Sequence, residues 1–292
     1  MFYNGKIISF IGGVATILLE NNKIISAKPK GILRYDNSSI KPVVGDNVVV
    51  EENSGSYLIS EIKERKNLLI RPNVANIDEL LIIQSIIQPD INLYLLDKFL
   101  AHYESRVNNV SIYFSKLDLL SDDKRQEIEN IIKMYKENGY SIYCSNNNED
   151  IEKIKYNLGH KTMCLAGNSG VGKSTLLNKI NPELGLKTQK ISLALNRGKH
   201  TTTNNQMIIY EKGMFIDTPG FSSIDIFLTP QELANSFHDF HKHSPLCKFS
   251  NCLHINEPNC KIKELVNSSK ISMSRYKNYL RMQEEIKFKK SN

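Results

Sequence analysis

The sequence predicts a multidomain fold: an N-terminal β-barrel, a central α/β domain with a parallel sheet, and a mostly helical C-terminal domain. Three patterns support this prediction. Residues 1–66 alternate short apolar runs with turns, residues 67–228 alternate buried-strand patterns with helical ones, and residues 229–292 place helical segments around a cysteine cluster. At 292 residues the chain is long enough for two or three domains.

Residues 1–66 have the patterning of short strands separated by turns. The apolar runs are Ile7–Phe10, Val14–Leu19, Lys23–Ala27, Asn47–Val50 and Tyr57–Ile62. This pattern predicts a small β-barrel or sandwich. The stretch Ile7–Leu19 also has the length of a signal-peptide core, but Gly12 and Gly13 divide it and a turn follows, so a hairpin is favoured.

The central region has a different rhythm, in which buried strands alternate with helices. The predicted strands are Leu80–Ile87, Val110–Phe114, Ser141–Cys144, Lys161–Ala166 and Met214–Ile216. Between two of them, Ser121–Asn138 predicts a helix that Ser121 can cap and Gly139 can end. Such alternation is typical of a parallel sheet with helical crossovers.

Charge and cysteine usage exclude some classes of protein. The net charge is +7, and residues 261–292 carry most of it, with nine basic side chains against three acidic ones. No run approaches the 18 apolar residues that would span a bilayer, so an integral membrane protein is not predicted. The five cysteines are an odd number with three clustered, which favours an intracellular metal site over an extracellular disulfide framework.

A glycine-rich phosphate-binding motif follows the strand Lys161–Ala166. It reads Gly167-Asn168-Ser169-Gly170-Val171-Gly172-Lys173-Ser174, with Thr175 opening a helical pattern behind it. In this motif backbone N–H groups surround the phosphates, Lys173 neutralises their oxygens, and Ser174 can bind Mg²⁺. The alternative, an ordinary strand-to-helix turn, does not explain the full pattern in its strand–loop–helix context.

A second motif, Asp217-Thr218-Pro219-Gly220, lies 43 residues after Ser174 and directly behind the strand Met214–Ile216. Asp217 at a strand end can hold Mg²⁺ through water, and the Gly220 amide can sense a γ-phosphate. Alone, the tetrapeptide indicates only a turn. Together with the phosphate loop, it predicts the metal side of a nucleotide site.

Guanine recognition requires a carboxylate that accepts hydrogen bonds from the base. The segment Ser115-Lys116-Leu117-Asp118 follows a predicted strand, so Asp118 can accept these bonds while the Lys116 stem packs along the base. Ser115 stands where an asparagine is usual. The plainer interpretation of the segment from Ser115 to Asp118 is a surface loop with a lysine and an aspartate. A second loop after a strand, Cys144-Ser145-Asn146, can lie against the base edge.

The base-reading segments precede the phosphate loop, which is the reverse of the usual order in GTPases. A circularly permuted domain is therefore predicted, and permutation is tolerated where the termini of a domain lie close together. With Arg197–Thr202, the cysteine cluster and the segment Arg71–Asp78, the chain resembles the ribosome small subunit-dependent GTPase A family over nearly its whole length.

This resemblance implies an OB-fold at residues 1–66, a permuted P-loop GTPase domain at 67–228, and a zinc-binding helical domain at 229–292. It also implies GTP and GDP as ligands with Mg²⁺, and hydrolysis of GTP during late maturation of the small ribosomal subunit. The expected partners are that subunit and its rRNA, and the expected form is a cytoplasmic monomer. Two rivals remain open: a nucleotide-gated RNA-binding scaffold with incidental hydrolysis, and an ATP-preferring protein.

Hydrolysis requires a residue that orients the attacking water. Many GTPases use a glutamine directly after the Asp-x-x-Gly glycine, but this chain has Phe221, which cannot orient water. The resemblance favours His200 for this role, although a loop histidine is more often a solvated bystander. One of the neighbours Thr201 and Thr202 is expected to reach Mg²⁺, and Lys173 completes the predicted catalytic set.

The C-terminal cysteine cluster has the spacing of a metal site. Cys247, Cys252, His254 and Cys260 offer three thiolates and one imidazole within 14 residues, which is enough for a closed, structural zinc site. The alternative is one disulfide with a free cysteine and a solvent-facing His254.

The last helical segment mixes basic and aromatic residues. These are Arg275, Tyr276, Lys277, Tyr279, Arg281, Lys287, Lys289 and Lys290. Such a mixture predicts contacts with rRNA phosphates and bases, whereas the alternative is a solvated charged surface.

Overall fold

A computed structural model describes residues 1–31, 41–185, 205–218 and 226–291, with side chains to Ile286. Contacts between residues group the chain into two compact units. The first contains Met1–Glu79, Lys153–Ala166 and Lys173–Gly220, and the second contains Leu80–Glu152, Gly167–Gly172 and Phe221–Asn292. Each unit thus combines segments that are distant in the sequence. The domain boundaries at residues 66 and 228 stay predictions.

The first unit begins with a five-stranded barrel. Its strands are β1 (Phe2–Ile11), β2 (Val14–Leu19), β3 (Ile24–Pro29), β4 (Asn47–Asn53) and β5 (Ser56–Ile62). Strand β1 pairs with both β2 and β4, and the pairs β2–β3, β3–β5 and β4–β5 close the barrel. Gly12 and Gly13 form the β1–β2 turn at φ values of 58° and 79°, which glycine adopts without strain. The predicted hairpin is confirmed.

Alternation along the strands creates the barrel core. In β2, Ala15, Ile17 and Leu19 are buried while the residues between them are partly exposed, as expected for side chains that point to opposite faces. They pack with Ile7 of β1 and Val48 of β4. A strand pattern of period two is therefore sufficient to place this core.

The remaining strands of the first unit form a separate hairpin and a group that carries the nucleotide motifs. The hairpin consists of β6 (Leu68–Leu69) and β7 (Val74–Ala75). The group consists of β11 (Thr162–Ala166), β12 (Gln206–Tyr210) and β13 (Gly213–Asp217). Strand β11 runs parallel to β13, β13 is antiparallel to β12, and β12 meets β1 of the barrel at Gln206 and Ser9. Helix α4 (Lys173–Ile180) follows the phosphate loop.

Polar contacts fix the segment that follows the barrel in the sequence and tie it to β11. The Asn76 side chain donates to the Gly45 carbonyl and accepts from the Lys66 N–H. Asp78 accepts from the Lys66 ammonium and from the Thr162 N–H, each at 2.8 Å. Since buried backbone groups need partners, these side chains explain why the segment Arg71–Asp78 is rich in polar residues.

The second unit contains a parallel sheet and most of the helices. Its strands are β8 (Glu79–Ser85), β9 (Val110–Ser115) and β10 (Ser141–Cys144), with helices α1 (Leu93–Glu104), α2 (Asp122–Glu137) and α3 (Asn148–Leu158) in the same region of the chain. Strand β9 pairs in parallel with β8 and with β10. Every residue of β8 is buried, which explains its continuous apolar run.

Four helices complete the second unit: α5 (Pro230–Ser236), α6 (His238–His243), α7 (Lys261–Asn267) and α8 (Met273–Ser291). Helix α5 begins with a capping box in which Thr229 and Glu232 satisfy each other's backbone N–H groups. Across the described ranges, none of the helices has both the length and the apolar character that crossing a bilayer requires.

The role predicted for α8 is wrong for two of its residues. Arg275 is 1% exposed and Tyr279 is 0% exposed, so neither can contact RNA from the folded chain. Arg275 donates to Asp97 of α1 at 2.5 Å and to Asp239 of α6 at 3.0 Å. A buried arginine requires carboxylate partners, and these aspartates lie far from it in the sequence. Its charge therefore holds α8 against α1 and α6.

The pairing of Arg275 with Asp97 and Asp239 leads to a testable prediction. Replacing Arg275 with methionine leaves Asp97 and Asp239 buried without their cation, so the free energy of unfolding should fall by about 3–5 kcal/mol. The matched control is Lys277→Met, which removes an exposed charge from the same helix and should change stability by less than about 0.5 kcal/mol. Equal denaturation midpoints for the two variants would contradict the assignment.

Candidate nucleotide-binding site and metal centre

The phosphate loop owes its shape to its glycines. Gly167, Gly170 and Gly172 have φ values of 153°, 77° and 98°, a backbone region that other residues rarely adopt. A Cβ atom on Gly167 would also collide with the carbonyl oxygen of Ile83 in β8. Because glycine accepts these backbone conformations without strain, the loop can turn its N–H groups toward a bound phosphate.

Ser115 connects the predicted base-reading loop to the phosphate loop. It ends β9, is buried, and donates a hydrogen bond from its hydroxyl to the Val171 carbonyl at 2.5 Å. Gly172 lies beside it, since a Cβ there would be 3.5 Å from the Ser115 Cβ. Ser115 therefore bridges the two loops, although the sequence showed only that an asparagine is missing.

The two base-reading loops contact each other. The Leu117 N–H donates to the Ser145 hydroxyl at 3.1 Å, and the Ser145 N–H donates to the Phe114 carbonyl at 2.9 Å. Asp118 follows in a short 3₁₀ turn, and its side chain is exposed. The second unit thus brings together Ser115, Lys116, Leu117 and Ser145, with Asp118 open to solvent, as a carboxylate that meets a ligand must be.

In the first unit, Asp217 lies at the end of β13, and its Oδ1 atom is buried with no hydrogen-bond partner among the described residues. Burial raises the pKa of this carboxyl group, an effect that the Lys173 ammonium opposes. Burial lowers the pKa of Lys173 to about 8, although the Asp217 carboxylate raises it in part. A buried carboxylate oxygen that lacks a partner, near a cation, is suited to hold metal-bound water.

The strand end that presents Asp217 is itself anchored. The Thr218 hydroxyl donates to the Leu165 carbonyl of β11 at 2.6 Å. Ser174, half-buried in the first turn of α4, offers a hydroxyl oxygen, and Mg²⁺ prefers such oxygen ligands. The donor set of Ser174 and Asp217 therefore fits Mg²⁺, and Lys173 fits the phosphates that Mg²⁺ accompanies.

Part of the predicted site lies outside the described residues. His200, Thr201, Thr202 and Gly220 belong to this part, as does Phe221. Asn168, Ser169 and Thr175 lie where the motif predicts, with Asn168 and Ser169 in the loop and Thr175 in the first turn of α4. The water-positioning role of His200 stays a prediction.

The cysteine cluster forms a compact ligand set. The candidate ligand atoms of Cys247, Cys252, His254 and Cys260 all lie within 4.8 Å of one another. The Nδ1 atom of His254 is 3.7 Å from the Cys247 sulfur and 3.4 Å from the Cys260 sulfur, and these two sulfurs are 4.0 Å apart. Tetrahedral zinc gives edges of about 3.5 Å between nitrogen and sulfur and about 3.8 Å between sulfurs. The cluster therefore has the dimensions of a zinc site.

Side chains of α8 support the loop that carries these ligands. The Tyr276 hydroxyl donates to the His254 carbonyl at 2.7 Å, and the Tyr279 hydroxyl donates to the Leu253 carbonyl. Glu257 accepts from the N–H groups of Leu253 and Ile255. Sequence patterns did not identify these supports, because the tyrosines resembled a surface for RNA. Tyr279 is buried and Tyr276 is half-buried, and their hydrogen bonds assign them to the loop of the candidate zinc cluster, hereafter the metal loop.

Comparison with known proteins decides the family. The sequence matches the RsgA GTPase family over residues 62–227 and the RsgA N-terminal domain family over residues 4–57. The chain belongs to the RsgA GTPase family. As a member it hydrolyses GTP, with a guanine nucleotide and Mg²⁺ as the ligands that the family implies. The resemblance stated from the motifs is confirmed.

Curated relatives extend over nearly the whole chain. The protein of Ureaplasma urealyticum serovar 10 is 47% identical over 283 residues, which cover 96% of this chain and 94% of the relative. The protein of Malacoplasma penetrans is 54% identical over 246 residues, which cover 84% and 86%. Both relatives carry the name small ribosomal subunit biogenesis GTPase RsgA.

Two solved structures share the fold. YloQ, described as a circularly permuted GTPase, has a TM-score of 0.80 at 34% identity, and the match covers 99% of this chain and 96% of YloQ. YjeQ from Thermotoga maritima has a TM-score of 0.81 at 33% identity, with 98% and 99% covered. The predicted fold class is therefore confirmed: an N-terminal barrel, a circularly permuted GTPase region and a helical C-terminal region with a candidate zinc cluster.

Proposed function

We propose that this chain binds the small ribosomal subunit and hydrolyses GTP during late maturation of that subunit. Binding to the subunit is proposed to stimulate the hydrolysis. The observation that carries the proposal is its similarity to the Ureaplasma relative, named for small ribosomal subunit biogenesis, over 94% of that protein's length. The joined base-reading and phosphate loops support the nucleotide half of the proposal, and the flanking barrel and helical region supply surfaces for the subunit.

In the proposed site, each described residue has a binding or orienting role. The N–H groups of Gly167–Gly172 donate to phosphate oxygens, and Lys173 neutralises them. Ser174 and Asp217 would hold Mg²⁺, which would supply charge neutralisation for the phosphoryl group that is transferred. Asp118 accepts hydrogen bonds from the guanine base while Ser115, Lys116, Leu117 and Ser145 shape its pocket.

Hydrolysis is proposed to use residues outside the described ranges. His200 orients the attacking water, one of Thr201 and Thr202 contacts Mg²⁺, and the Gly220 amide senses the γ-phosphate. Because Phe221 cannot orient water, we expect slow turnover by the free protein, on the order of 10⁻⁴ to 10⁻² s⁻¹, as for unassisted GTPases. The subunit then raises the rate by completing this arrangement.

The test compares GTP turnover of the wild type, His200→Ala and the control His160→Ala, each with and without purified small subunits. His160 is an exposed histidine outside the predicted site. We expect subunits to accelerate the wild type and the control at least about a hundredfold and His200→Ala far less, with GDP affinity equal in all three. Unchanged turnover in the presence of subunits would refute subunit stimulation, and full acceleration of His200→Ala would refute the histidine's role.

Contact with rRNA is proposed for exposed basic side chains, since phosphates dominate such contacts. Lys277 on α8 is exposed, unlike Arg275, and is one such side chain. We further propose that the protein acts as a monomer in the cytoplasm, where its five free cysteines stay reduced.

We propose that Cys247, Cys252, His254 and Cys260 hold one structural Zn²⁺. Burial lowers the pKa of His254 to about 4, so its imidazole is neutral at pH 7, the form that binds a metal. Four protein ligands leave no position for a catalytic water. The metal would therefore stabilise the loop that α8 supports.

Metal analysis of the purified protein should find about one zinc per chain. Cys252→Ser should lower this content and the thermal stability, because a structural zinc contributes directly to folding. Cys144→Ser is the matched control, since Cys144 lies outside the cluster and should leave the zinc content unchanged. Full zinc content in Cys252→Ser would contradict the proposed ligand set.

A further inference from the structure

The turn between β8 and α1 contacts the base-reading loop through a lysine. The Lys116 ammonium donates a hydrogen bond to the main-chain carbonyl of Gln88. This places the charged end of Lys116 on a defined acceptor, while its stem remains available to a base plane. None of the sequence motifs includes Gln88, which lies 28 residues before Lys116.

The turn that presents the Gln88 carbonyl is fixed from the sheet. Ser85, the last residue of β8, is fully buried, and its hydroxyl donates to the Pro89 carbonyl at 2.7 Å. The Ile86 N–H donates to the Ser115 carbonyl at 3.2 Å, so the turn is also bonded to the end of β9. These contacts tie the turn to the same strand ends that carry the base-reading residues.

The backbone conformations of Gln88 and Lys116 also indicate that the contact between them is fixed. Gln88 has a φ of 51° and Lys116 a φ of 61°, both in the left-handed region that residues other than glycine seldom adopt. Such conformations persist where surrounding contacts over-determine them, and they concentrate at ligand sites. Here the two residues with this conformation are the two partners of the Lys116–Gln88 hydrogen bond.

Holding a lysine in place before its ligand arrives reduces the cost of binding. A free lysine samples many rotamers, and ordering it opposes association. A hydrogen bond to a fixed carbonyl removes part of that freedom in advance.

We propose that the turn Ser85–Pro89 is a positioning element for base recognition, in which the Gln88 carbonyl holds the Lys116 ammonium so that the lysine stem packs along the guanine base. The inference rests on the proposed nucleotide site. Gln88 acts through its main chain, so its side chain matters only through the backbone conformation that it permits. Ser85 is a second positioning residue, because it fixes the turn.

The test measures GDP affinity of the full-length protein by titration with a fluorescent GDP analogue. Gln88→Val places a β-branched residue at a positive φ and should displace the carbonyl, which should raise the Kd about three- to tenfold. Gln88→Gly, which accepts the left-handed backbone, should restore tight binding relative to valine. Asp90→Val, an exposed position of the same turn, is the control for a valine at this surface.

A double-mutant cycle separates positioning from general damage. If the turn acts through Lys116, then Gln88→Val should raise the Kd by less than about twofold in a Lys116→Ala background, because the lysine that it positions is already absent. Ser85→Ala should likewise raise the Kd less in the Lys116→Ala background than in the wild type. It replaces Gln88→Val in the cycle if Gln88→Val does not fold. Thermal unfolding of each variant identifies any loss of folded protein.

Equal Kd values for the wild type and Gln88→Val would overturn the inference, as would an equal loss in the wild-type and Lys116→Ala backgrounds. A Lys116→Ala variant that binds GDP as tightly as the wild type would overturn it too. By contrast, a wild-type protein that fails to bind GDP would refute the proposed nucleotide site itself. The two failures are therefore distinguishable.

Discussion

The hydrogen bond from the Ser115 hydroxyl to the Val171 carbonyl joins the two loops that are proposed to bind the nucleotide. In a permuted chain the base-reading segment comes 52 residues before the phosphate loop begins, so chain continuity does not bring the two together. A buried serine at the end of β9 does so, and the usual asparagine is not required for this contact. The substitution that weakened the sequence motif thus has a structural explanation: a short side chain reaches the loop directly.

Much of this arrangement could be predicted because local motifs carry it. The phosphate loop, Asp217 and the four residues of the candidate zinc cluster are recognisable from spacing alone, and short apolar runs separated by turns located all five barrel strands. Contacts between distant segments could not be predicted in this way. Strand β12 and the hairpin of β6 and β7 have weak sequence patterns. The acceptor for Lys116 is a main-chain carbonyl, which every residue has, so the sequence does not identify it.

The C-terminal helix shows how composition can mislead. A mixture of arginine and tyrosine favours RNA contact on the sequence alone, yet Arg275 is paired with two aspartates and Tyr279 supports the metal loop. Ile226 and Leu228, which lie six and eight residues after Gly220, are buried in the same core. The chain that leaves the predicted γ-phosphate sensor therefore enters the core that α8 and the metal loop build.

We expect the preference for guanine to depend on the contact between the base-reading and phosphate loops, because this contact holds the segment that presents Asp118 to the base. Competition of GDP and ADP for the free protein tests it most directly, in the wild type and in Ser115→Ala. The wild type should prefer GDP by at least about a hundredfold, and Ser115→Ala should lose about three- to tenfold in GDP affinity, as expected for one buried hydrogen bond. A wild type that binds both nucleotides equally would contradict the guanine preference, and a Ser115→Ala variant that matches the wild type in GDP affinity and preference would contradict the role of the Ser115 contact.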